Sequence, residues 1–175
     1  MENNQSIFET ICRLREEEPG LPYRFQDERT AGQKDVLYVL ASEGIPFWRK
    51  EDLAKECCGI LKDLVNKEDT ILTDPVLRHF LEHYPICSYF IELRERVRIT
   101  LEAETSSRER LFHLGMRLAR SGTDPEQVKL GIILLGFFPY DTTKQIMRVL
   151  GYHSEYTLYV LESIQYVFPM QNNFI

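Results

Sequence analysis

Apolar residues recur along this chain at intervals of three and four, and helix start and stop signals punctuate the runs. Ser6-x-x-Glu9 forms a capping box ahead of Ile7, Phe8, Ile11 and Leu14, and Pro19-Gly20 ends that helix. Glu18–Gly32 reads as a connecting segment tacked down by Leu21, Tyr23 and Phe25. Gln33–Ser42 is short and apolar; it suits a strand or a helix, and its helical neighbourhood favours helix. Gly44-Ile45-Pro46 stops it. Glu51–Asn66 places Leu53, Cys57, Ile60, Leu61 and Leu64 on one helical face.

Asp74-Pro75 predicts a helix start, and Pro85 ends that helix near Tyr84 because the residue before proline avoids the α region. Ile86–Glu104 reads as one long helix with Phe90, Leu93, Val97 and Leu101 as its apolar stripe. Four shorter helices follow. Ser106-x-x-Glu109 caps the first, which ends at Ser121-Gly122. Thr123-Asp124-Pro125-Glu126 caps the second, which runs to Phe138-Pro139. Asp141 opens Thr142–Leu150, and Ser154 opens Glu155–Val167. Short turns between them require antiparallel neighbours.

The second and fourth of these carry a weak internal repeat. Thr123–Pro139 lies on His153–Pro169 without a gap at an offset of 30 residues, so that Val128 matches Leu158, Leu130 matches Val160 and Leu134 matches Ile164. The preceding helices also compare, Gly115–Ala119 with Ile146–Leu150, at an offset of 31. The unit is therefore a helix pair, and two helices with two turns use roughly 30–45 residues. Asp124, Val128, Lys129 and Gly131 resemble the second helix of a HEAT-type repeat in a shorter variant. The second copy departs from that pattern, with Ser154 and Tyr159 at the acidic and basic places. The resemblance covers only about 106–169. It implies a short α-solenoid at 105–169, capped by an irregular helical part at 1–104 and followed by a tail at 170–175, all within one all-α domain.

Composition adds limits. With 43% apolar and 27% charged residues, the 175-residue chain is typical of a globular domain. Its longest apolar run, Leu130–Phe138, falls far below the ~18–20 residues that cross a bilayer. The opening MENNQSIFET lacks the basic and apolar regions of a secretory leader, which predicts a cytoplasmic protein. Four cysteines without a CxxC offer neither a zinc knuckle nor a redox pair. A net charge of −6 argues against non-specific nucleic-acid binding.

Candidate chemistry is sparse. His79-Phe80-Leu81-Glu82-His83 fits H-x-x-E-H, the inverted zinc-protease pattern, in which two histidines one turn apart share an ion and the glutamate activates its water. A third ligand, such as Glu155 or Glu162, is placed only by chain position, and the enzyme family with this motif spans far larger chains. No nucleophile elbow and no phosphate-cradling glycine pattern occurs. The residues therefore predict no enzyme, no cofactor and no resident metal, with His79 and His83 as weak metal candidates and a small hydrolase as one alternative reading. Arginines at 94, 96, 98, 108, 110, 117 and 120 offer a nucleic-acid or acidic-peptide face as another, diluted by interleaved glutamates. Tyr152, Tyr156 and Tyr159 share one helical stripe, and exposed tyrosines suit interfaces. The expected role is protein–protein interaction with another protein, as a monomer or a homodimer, through Tyr152, Tyr156, Tyr159, Arg94 and Arg98.

Overall fold

Pro125–Leu135 is buried around its whole circumference: every residue from Gln127 to Leu135 is inside. A helix apolar on all sides must be enclosed, and this one organises the fold. The computed structural model describes residues 5–17, 35, 45–65, 67, 70–103 and 108–167, with side chains to 164. Among them are eight α-helices and no strand: α1 (Ile7–Glu17), α2 (Phe47–Leu64), α3 (Pro75–His83), α4 (Phe90–Ala103), α5 (Arg108–Ser121), α6 (Pro125–Leu135), α7 (Asp141–Leu150) and α8 (Ser154–Val167). A 3₁₀ turn, Ile86–Ser88, joins α3 to α4. The expected turns and termini at 18–34, 104–107 and 168–175, and all but Asp35 of the expected helix Gln33–Ser42, lie outside the described residues.

The caps form as their residue types dictate. Ser6 and Glu9 exchange backbone and side-chain hydrogen bonds at 3.1 and 3.2 Å. Asp74 accepts from the Val76 and Leu77 amides, and Asp124 from those of Glu126 and Gln127, satisfying donors that have no helical partner. Two boundaries differ from expectation. Pro46 does not merely stop the preceding segment; its carbonyl accepts from Arg49 and Lys50, so α2 begins at Phe47. The predicted helix Ile86–Glu104 is broken, because the Ile86 amide is held by the Glu126 carboxylate at 2.6 Å and Tyr89 leaves the helical region.

α6 packs against α5, α8, α4, α3 and the 3₁₀ turn. α7 packs on α8, α5 meets α7, and α1 lies against both α5 and α7. The α5–α6 approach depends on one glycine. A Cβ on Gly131 would fall 2.5 Å from the Ala119 nitrogen and 2.9 Å from its Cα, so nothing larger fits. Gly59, exposed in the middle of α2, has nothing within 4 Å of such a Cβ.

These two glycines give opposite expectations. Gly131→Ala should destabilise by about 1–3 kcal/mol or more, since backbone atoms must move. Gly59→Ala should stabilise by roughly 0.5–1 kcal/mol, the helix-interior cost of glycine. Urea unfolding of the two variants against wild type checks both signs.

Candidate functional site

The best-built polar site is internal. Lys129 enters α6 among apolar residues, one turn after the Glu126 of its capped start, and only 2% of it is exposed. An ammonium has three donors and no acceptor. Here Nζ donates to Asp35 at 2.7 Å, to Glu126 at 2.7 Å and to Glu155, at the start of α8, at 2.5 Å. Tyr159, also on α8, donates its hydroxyl to Asp35 at 2.7 Å, and the Lys129 ammonium lies 5.5 Å from its ring centre. The second Glu126 oxygen takes the Ile86 amide. One cation thus gathers α6, α8, the 3₁₀ turn and Asp35.

Burial opposes the charge on Lys129, but the Glu126 and Asp35 carboxylates outweigh it and hold the pKa above its ordinary value. Burial raises the Glu126 pKa, which the ammonium only partly reverses. Burial, with Asp35 and Glu126 nearby, pushes the Cys87 thiol up to about 12. An amine nucleophile needs a depressed pKa and a reactive thiol needs thiolate character; neither condition is met. Asp35, Glu126 and Glu155 place carboxylate oxygens within 4.8 Å of one another, and the ammonium sits where a metal cation would. The arrangement does mechanical work: it holds helices in register.

His153, wholly buried before α8, supports the same end. Its Nδ1 accepts from the Glu155 amide at 3.1 Å, so that nitrogen must be unprotonated. Burial lowers its pKa to about 4 against a small opposing effect of Glu155.

The expected interface residues are placed differently. Tyr156 and Tyr159 are fully buried, so the tyrosine stripe of the last helix is not a surface. Its spacing is helical, but the stripe faces inward, with Tyr159 edge-on to Phe90 and against Lys129. Only Tyr152 is exposed, at 49%, beneath the Arg15 guanidinium 4.3 Å away. Arg94 donates to the carboxylate and backbone carbonyl of Glu162 at 3.1 Å. Arg98 is chelated by Glu95 and Glu102 at 2.5 Å each. Carboxylates already occupy the two guanidiniums that a phosphate would need. His79, Glu82 and His83 are exposed together at the end of α3, and Glu155, on α8, is committed to Lys129 instead.

Among the described residues the most exposed large aromatics are elsewhere: Phe47 and Trp48, adjacent on the first turn of α2, are 70% and 66% exposed, ahead of Tyr140 and Tyr152. Nothing in the apolar spacing around α2 says that this pair faces solvent. The four cysteines are free, and burial raises the pKa of each.

No protein-family model matches the chain, and no curated protein or solved structure shows significant similarity to it.

The His153 geometry fixes a sign. The unfolded histidine titrates near 6.5 and the folded one near 4, so the unfolded chain binds more protons between those values. Stability contributed by the neutral ring is complete above about 6.5 and is lost as pH falls toward about 4, by roughly 3 kcal/mol. Glu126, with its raised pKa, works in the opposite sense. His153→Asn keeps a capping acceptor without the titration. Its urea midpoint should therefore fall less than that of wild type between about pH 7 and about pH 4.5.

Proposed function

We propose that the chain is a non-catalytic protein–protein interaction module, built in its C-terminal part as a short HEAT-like stack of helix pairs. Its contact site is the Phe47–Trp48 corner of α2. The carrying observation is the exposure of two adjacent large aromatics at the start of a helix whose other face, through Leu53, Ala54, Cys57, Leu61 and Leu64, is buried. Aromatic residues on a rigid element dominate interface energetics when covered. Arg49, next in sequence, is tied to Tyr84 through its guanidinium at 3.3 Å, which fixes the base of the corner.

The stack reading draws support from the repeat. In stacked units, equivalent positions of neighbouring units face each other. Lys129 and Tyr159 are equivalent at the offset of 30 and touch, while α5 meets α7 and α6 meets α8. Against the nucleic-acid alternative stands the pairing of Arg94 and Arg98 with glutamates.

The test compares wild type with Phe47→Ser/Trp48→Ser and with Tyr152→Ala. Sedimentation equilibrium reads self-association, and capture from native lysate with mass spectrometry reads other partners. The double variant should lose an association that Tyr152→Ala retains, while folding stability stays within about 0.5 kcal/mol. Association should change little from 50 to 200 mM salt, where about six phosphate contacts would lose roughly a thousandfold. Identical association in all three proteins would remove the corner from consideration.

A further inference from the structure

The exposed face of α3 carries a second arrangement, independent of the interaction reading. His79, Glu82 and His83 occupy positions i, i+3 and i+4, which share one side of a helix. One ligand atom from each lies within 4.8 Å of the other two. Their rings and carboxylate are in solvent, so desolvating a bound ion needs no opening of the fold. The helix beneath is firmly seated: Leu77, Phe80 and Leu81 are buried, and Asp74 caps its start.

The histidine orientation is informative. His83 Nδ1 lies 2.8 Å from the His79 carbonyl oxygen. A carbonyl only accepts, so Nδ1 carries the proton and donates. In the neutral ring that leaves the lone pair on Nε2. Metal-binding histidines are generally oriented in this way, the second nitrogen donating to a carbonyl or carboxylate. The two rings are already close, with centroids 4.2 Å apart. Donor atoms around a tetrahedral ion with bonds of ~2.1 Å stand about 3.4 Å apart. Rotation of exposed side chains covers the remaining distance. The helix also ends here, at Tyr84, whose backbone is extended, so the negative end of the helix dipole faces the site.

We infer that His79, Glu82 and His83 form a surface site for a borderline divalent transition-metal ion, zinc or its neighbours, with two imidazoles and one carboxylate as ligands. Nitrogen donors select such ions over calcium and magnesium, which want oxygen. Glu82 is a ligand here and not a water-activating base. The remaining coordination positions are open to water or to a side chain from outside.

The test is a titration of the full chain, freed of metal by a chelator and kept reduced, with cobalt(II) and then zinc. One cobalt per chain should bind saturably, give visible absorption and be displaced by zinc. His79→Ala and His83→Ala should each weaken zinc binding at least tenfold, and Glu82→Gln by less, with unchanged far-ultraviolet circular dichroism. Calcium and magnesium should not compete. Absence of saturable binding would overturn the inference. So would binding that survives both histidine variants, or a near-ultraviolet sulfur-to-cobalt band placing the ion on cysteine.

Discussion

Enclosing α6 on every side forces the fate of one side chain. Lys129 cannot reach water, and an isolated buried charge costs several kcal/mol. The chain meets this constraint with three carboxylates drawn from separate places, one for each ammonium proton. Because Glu126 also holds the Ile86 amide and Asp35 also accepts from Tyr159, the same cation fixes the break between α3 and α4 and the seating of α8. A single lysine therefore couples local choices that the apolar core alone would leave loose. Burial, with a smaller contribution from Asp35, holds Glu126 above the ordinary carboxylate range despite the adjacent ammonium.

Much of the architecture is legible from the chain itself. The capping residues at Ser6, Asp74 and Asp124 mark their helices because each satisfies orphan amides locally. The enclosed character of α6 follows from the apolar run that begins at Leu130, and the role of Gly131 from its place on that helix. What was not legible depends on residues far apart. The interruption at Ile86–Ser88 comes from Glu126, forty positions away, and the Lys129 cluster needs Asp35 and Glu155. Lys129 itself stood out only through a repeat resemblance. The tyrosine stripe shows the limit of periodicity: Tyr152, Tyr156 and Tyr159 have helical spacing, but spacing does not say which side is outside.

The surface follows the same electrostatic economy as the interior. Arg94 and Arg98 are both engaged by glutamates, so these two members of the arginine-rich stretch already have carboxylate partners. What remains distinctive outside is apolar at Phe47 and Trp48, and ligand-like at His79, Glu82 and His83. Both lie on α2 and α3, ahead of the segment in which the sequence repeats.

The central claim is that the buried Lys129 charge holds the helices together. Lys129→Met keeps most of the length and the apolar stem of the side chain and removes the charge with its three donors. Three carboxylates would then be left without their cation, and breaking a buried ion cluster from one side costs about 3–5 kcal/mol. Urea unfolding near neutral pH, followed by circular dichroism, measures this directly. A loss of that size, shrinking at acid pH as the carboxylates take up protons, is the predicted result. A change under about 0.5 kcal/mol, the range of ordinary surface substitutions, would contradict the account.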